Sequence, residues 1–241
     1  AQHTGLGMER IVLGNGSNDV LDILARVFLA PGRSAVFSQH AFAVYPLATL
    51  SAGGEPIAVP AKDFGHDLEA MCAAIRPDTR VVWLANPNNP TGTFLPYPQL
   101  KAFLQRVPQD VVVVLDEAYN EYIPPAERVD TAAWLADFPN LVLIRTFSKI
   151  YGLAGLRIGY ALASADIADL MNRVRQPFNC NNLALAAAVA ALDDHAFVAQ
   201  SYALNRAGME QIVATLKRFG LSHIPSHGNF VTFKAGDAAT V

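Results

Sequence analysis

In the stretch RTFSKIYGLAGLRIGY, residues 145–160, Lys149 follows two hydroxyl residues, Thr146 and Ser148, and precedes Arg157 by eight positions. A lysine ordinarily lies on a solvated face, because burying an ammonium is costly. This one sits between LVLIRTF, which reads as a buried strand, and GLAGL, a poor surface helix and a good tight loop. Strand ends are where α/β folds put their chemistry. A lysine desolvated there beside a cation loses its proton more easily and becomes a nucleophile able to form a Schiff base with a carbonyl.

Three further stretches carry polar residues at strand ends. ANPNNPTG, residues 85–92, follows a strand and holds two X-Pro turns, which pin its asparagines in an extended loop. VVVVLDEAYNEY, residues 111–122, ends a strand on Asp116 and Glu117. That pattern is also the magnesium-binding strand of a P-loop ATPase, but a P-loop needs Gly-Lys-Ser or Gly-Lys-Thr, and no lysine here follows a glycine. Glu117 points to the opposite face from Asp116 and reads as structural or solvated. GNGSND, residues 14–19, fails the dinucleotide pattern because Asp19 stands where the third glycine belongs. It still offers Ser17 and Asn18 at the start of a helix, with Asn18 as its cap, and such a start is an anion site.

The elements that must position these groups are legible in outline. SAVFS, EPIAVP, RVVWLAN, VVVVLDEAY, LVLIRTF and RIGYALA are strand candidates, and residues 18–29, 67–75, 97–106, 164–174 and 182–217 carry helical spacing or composition. Near-continuous apolar strands imply burial on both faces, hence an α/β fold with a mainly parallel sheet sandwiched by helices. Residues 1–190 read as one large domain. Residues 191–241 read as a connecting helix and the beginning of a small α+β domain, with LSHIPSHGNFVTFK opening a new strand set. Ala1 in place of Met and the abrupt end read as truncation at both ends.

Composition excludes several classes. The 241 residues are 52% hydrophobic and 16% charged, with mean hydropathy +0.23 and formal net charge -3, which fits a substantial core. The 18 Lys and Arg residues are scattered, without the stripe a nucleic-acid partner requires. The longest apolar run, residues 183–192, is too short to span a bilayer and reads as a buried helix, and no charged-then-apolar leader opens the chain. Cys72 and Cys180 read as reduced thiols of a cytoplasmic protein. His223 and His227, with Pro225 between them, lack the companions of a metal site.

The ordered set RIVLGNGSNDVL, FSQHAFAVYPLA, NPNNPTG, LDEAYNEY, RTFSKIYGLAGLRIGY, RQPFNCNN and GNF resembles the fold-type I pyridoxal-phosphate aminotransferases, and within them the histidinol-phosphate aminotransferase group. The resemblance runs over nearly the whole chain. It implies that Lys149 binds pyridoxal 5'-phosphate covalently and that Thr146, Ser148 and Arg157 anchor the phosphate, with Ser17 and Asn18 at the same group. It implies that Asp116 pairs with the pyridine nitrogen, and that Tyr119 and Asn89 bond the phenolic oxygen. Phe42 takes the ring-stacking position, where many relatives carry tyrosine. The implied reaction moves an amino group between a small-molecule amino donor, histidinol phosphate, and a 2-oxo acid, 2-oxoglutarate, in a homodimer with a shared active site.

Physical reasons stand beside each role. A buried carboxylate stabilises a protonated pyridine, which then accepts electrons from the substrate's α-carbon. Arginine supplies a bidentate fork that a lysine lacks. A lysine freed above the α-carbon can shuttle a proton. The alternatives are an aromatic or other amino-acid aminotransferase, a related decarboxylase, or a scaffold without cofactor. Tyr45 packs against the stacking aromatic or fills the core, and Arg173 and Arg175 could reach an anionic substrate. The family's C-terminal substrate-binding arginine, N-terminal cover and partner tyrosine find no place in these 241 residues, which alone are expected to bind cofactor weakly and to turn over negligibly.

Overall fold

The computed structural model describes residues 1–236. Its strands are β1 (Ile11–Gly14), β2 (Ser34–Ser38), β3 (Glu55–Val59), β4 (Thr79–Ala85), β5 (Val112–Asp116), β6 (Leu141–Thr146) and β7 (Gly159–Leu162). Its helices are α1 (Ser17–Phe28), α2 (Val44–Ser51), α3 (Leu68–Ala73), α4 (Tyr97–Leu104), α5 (Ala165–Val174), α6 (Asn182–Asp193) and α7 (His195–Arg218). One seven-stranded sheet runs in the order β1-β7-β6-β5-β4-β2-β3. The strands from β3 to β6 are parallel, and β7 lies antiparallel to both β6 and β1.

Burial on both faces follows from the period-2 alternation of side chains in a strand. Val112 and Val114 of β5, with Val142 and Ile144 of β6, pack under α1, α2 and α5. Val113, Leu115, Leu141 and Leu143 pack on the other side, under α3 and α4. The mainly parallel, helix-sandwiched sheet is therefore as expected. The same alternation sends Asp116 and Thr146 toward α1 and α2, and sends Glu117 and Arg145 away from them.

Several elements differ from the sequence reading. All six expected strands form, and β1 adds a short edge strand that IVLG alone does not announce. Helix α2 was not expected, because VYPLATLS has no polar face, yet its Pro46 sits in the first turn, where a missing N–H costs nothing. The helical stretch 182–217 is broken: Asp194 accepts a hydrogen bond from Phe197 N and starts α7 at 79° to α6. Residue 190 thus falls in the last turn of α6. Helix α6 is not a buried helix, since only Ala184 and Ala188 are buried while Leu183 and Val189 are exposed. Its alanines are too small to fill a core on every side. The C-terminal strand set reduces, among the described residues, to one bridge between His223 and Phe233. No single helix among the described residues is long and apolar enough to cross a membrane.

Candidate active site

Asp116 ends β5 at the carboxyl edge of the sheet and is 5% exposed. Its Oδ1 accepts from Ala118 N at 3.1 Å and its Oδ2 from Tyr45 Oη at 3.0 Å. No Arg, Lys or His forms an ion pair with it among the described residues. Burial pushes its carboxyl up to about 6, against the two hydrogen bonds, which pull it down. An anion held this way has room for one cationic partner.

Around it, side chains from four loops converge. Lys149 is half-buried, with Nζ 5.0 Å from the centre of the Tyr119 ring. It is not fully desolvated as the sequence suggested, because the loop that carries it opens to solvent. Tyr119 Oη accepts from Asn89 Nδ2 at 3.1 Å, which joins the ANPNNPTG loop to the end of β5. Thr146 Oγ1 accepts from Ser148 N at 3.1 Å and fixes the turn into Lys149. Phe42, half-buried between β2 and α2, meets Tyr45 edge to face at 5.8 Å.

The GNGSND loop supplies the anion end. Helix α1 starts at Ser17 with Gly16 as its cap residue and no side chain on its first amides. Asn18 therefore lies inside the first turn, and the cap the sequence assigns to it falls instead to Gly16. The bare amides and the helix dipole face the cavity. Gly16 has φ +83°, and a Cβ there would land on the Arg157 guanidinium. Gly159 is equally needed, since its Cβ would come within 2.6 Å of Ser17 N. Arg157 itself is left-handed at φ 59°, a cost of about 1 kcal/mol for a residue with a Cβ. Its fork makes one good bond, to Ala154 O at 3.0 Å, and two long ones, to Ser148 Oγ at 3.4 Å and Asn15 O at 3.5 Å. Donors remain for an anion.

All ten expected residues, Ser17, Asn18, Phe42, Asn89, Asp116, Tyr119, Thr146, Ser148, Lys149 and Arg157, line a single cavity of about 160 Å³. Tyr45 lines it too, a residue whose role the sequence leaves open between packing on the stacking aromatic and filling the core. Arg173 instead pairs with Asp169, Arg175 bonds Asn172 and Asn179, and Asn181 caps α6. None of the three lines the cavity. A larger groove of about 910 Å³ lies around His66, Phe94 and His227 but gathers no lysine with a buried carboxylate.

The model of the family described as aminotransferase class I and II matches residues 1–241. The chain belongs to the class I and II aminotransferases. Among relatives within this family, histidinol-phosphate aminotransferase 1 of Dechloromonas aromatica is 79% identical over the whole chain, which covers 67% of that protein. Histidinol-phosphate aminotransferase 1 of Thiobacillus denitrificans is 64% identical over 98% of the chain, which covers 62% of it. The crystal structure of histidinol-phosphate aminotransferase from Sinorhizobium meliloti in complex with pyridoxal-5'-phosphate superposes with a TM-score of 0.94 at 34% identity, covering all of this chain and 65% of that one. Aspartate aminotransferase of Thermus thermophilus shares the aminotransferase fold at TM-score 0.86 and 24% identity. The chain spans roughly two thirds of the length of such relatives.

Proposed function

We propose that the protein transfers an amino group between histidinol phosphate and 2-oxoglutarate, with pyridoxal 5'-phosphate as cofactor. The observation that carries this is one cavity holding a half-buried lysine, a buried carboxylate without a cation, and an arginine with free donors beside a bare helix start. The relatives' names, at 79% and 64% identity, support the choice of amino donor.

The residues fit the cofactor. Arg157, Ser148, Thr146 and the α1 start, with Ser17 and Asn18, match a phosphate dianion in charge and donors. Asp116 suits a pyridinium, because a buried carboxylate relieved only by neutral donors is stabilised by a cation. Phe42 offers an aromatic face, and the Asn89–Tyr119 pair offers donors to a phenolic oxygen. Lys149 would hold the cofactor through its amine. When bound, the cofactor supplies a sink for the electron pair left at the substrate's α-carbon. The Lys149 amine would be the group placed to take up and give back the proton of that carbon. Asp116 would hold a ring nitrogen in its charged form, and Arg157 would fix the phosphate end.

We read the protein as a cytoplasmic homodimer with a shared site, in which residues 191–241 begin a second domain. Large apolar side chains left exposed, Phe178, Leu183, Val189 and Leu204 among them, support a partner subunit, and the free thiols of Cys72 and Cys180 fit a reducing compartment. Borohydride reduction of the loaded full-length protein, followed by peptide mapping, should place the label on Lys149. Label on another lysine would overturn that role. A panel of histidinol phosphate, phenylalanine, tyrosine and glutamate tests the donor, and preference for an aromatic amino acid would overturn the substrate.

A further inference from the structure

Residue 45 poses a problem that packing alone does not answer. The Tyr45 ring is fully buried, stacked on Trp83 at 5.6 Å and 6°, and edge-on to Phe42 at 5.8 Å and 87°. Phenylalanine would fill the same space, whereas a buried hydroxyl is costly unless bonded. Tyr45 Oη meets that need by donating to Asp116 Oδ2 at 3.0 Å. The ring is held in place from behind. Trp83 Nε1 donates to Thr49 Oγ1 at 3.1 Å, and Thr49 donates to the Tyr45 carbonyl at 2.8 Å, so the stacked pair and the first turns of α2 form one closed set.

We propose that Tyr45 is a positioning residue for amino transfer: its hydroxyl holds Asp116 Oδ2 turned into the cavity, and its ring edge sets Phe42. One side chain then fixes both the carboxylate and the aromatic face offered to a pyridine ring. The inference rests on the cofactor reading above. A neutral donor suits this task better than a cation. It orients the carboxylate and lowers its basicity without neutralising it, so the charge stays available to a pyridinium. Loss of the hydroxyl would leave Asp116 with the Ala118 amide alone, free to rotate and more basic, so that it would draw the proton away from the ring nitrogen.

The test uses full-length protein loaded with pyridoxal 5'-phosphate carrying ¹⁵N in its ring. In Tyr45→Phe the ring ¹⁵N resonance should move toward the value of unprotonated pyridine, and kcat should fall about tenfold, the effect of one hydrogen bond to a charged group, with KM for histidinol phosphate held. In an Asp116→Asn background the same substitution should change neither. A second form, with 3-fluorotyrosine placed at residue 45, keeps ring and hydroxyl, and its ¹⁹F resonance should move on cofactor loading. An unmoved ¹⁵N resonance in Tyr45→Phe, or an unmoved ¹⁹F resonance on loading, overturns the proposal. A wild-type protein that takes up no cofactor overturns the cofactor reading and this inference with it; normal loading with an indistinguishable Tyr45→Phe overturns this inference alone.

Discussion

Asp116 and Glu117 are neighbours at one strand end, both buried, at 5% and 2% exposure, and they are treated in opposite ways. Glu117 accepts from Arg145 Nε at 2.9 Å and from Thr131 Oγ1 at 2.6 Å, an ion pair closed on itself under the far layer. Among the described residues Asp116 has only a phenol and an amide. A buried charge is tolerated when paired and hydrogen-bonded. Glu117 is satisfied by the fold, while Asp116 stays costly until something cationic arrives. Arg157 mirrors Asp116 as a cation absent from the ion pairs of the described residues. Glu117 and Arg145 pair with each other behind the sheet, while Asp116 and Arg157 both line the cavity.

The largest expected effect comes from removing the open charge. Asp116→Asn should cut kcat about 10³-fold, roughly 4 kcal/mol, as for other preorganised electrostatic groups. The cofactor-free protein should melt no lower than wild type at pH 8. Near wild-type turnover would show that another residue charges the ring. Next is the closed pair. Glu117→Gln leaves Arg145, with its side chain 15% exposed, without its carboxylate, and should lower unfolding stability in urea by about 3 kcal/mol. Turnover per folded molecule should stay within about threefold. A Glu117→Gln protein of full stability but lost activity would erase the distinction between the two carboxylates.

A third test uses pH on cofactor-free protein. Asp116 is raised from 3.8 to about 6, so between these values the native state binds more protons than the unfolded chain. Its contribution to stability therefore falls as pH rises through that window and levels off above it. His66, pushed by burial from 6.5 down to about 4, acts in the opposite sense there, since the unfolded chain binds its proton first. The difference between wild type and Asp116→Asn isolates Asp116 and should change by about 2 kcal/mol between pH 4 and pH 7. A flat difference would mean that the carboxylate is less desolvated than its 5% exposure indicates. The smallest effect is that of the open cation. Arg157→Lys keeps the charge and loses the fork, and should weaken cofactor affinity about tenfold by equilibrium titration, about 1.4 kcal/mol.

The parts of this arrangement legible in the sequence are those with local signals. Lys149, Asp116 and Arg157 stand at the ends of apolar runs or in a glycine loop, and the period of 2 along VVVVLDE already puts Asp116 and Glu117 on opposite faces. What Glu117 does there was not legible, because its partners Arg145 and Thr131 are 28 and 14 positions away. The hydroxyl of Tyr45 was hidden for the same reason, its acceptor lying 71 positions on. Helix α2 is not legible, because a helix without a polar face carries no period to read. The break at Asp194 had a signal, an acidic cap three residues before Phe197 N, that helical composition on both sides concealed.

The meeting of Arg157 with the GNGSND loop has a consequence for the order in which the molecule is built. The contact from Arg157 to Asn15 O spans 142 positions, and closing a loop of that length costs about 4 kcal/mol of chain entropy. A nascent chain that has not yet delivered residue 157 has the helix start, yet no cradle. The anion site is thus a late event in synthesis, and a phosphate that binds both sides of the seam acts as a staple on the fold as well as a handle on the cofactor.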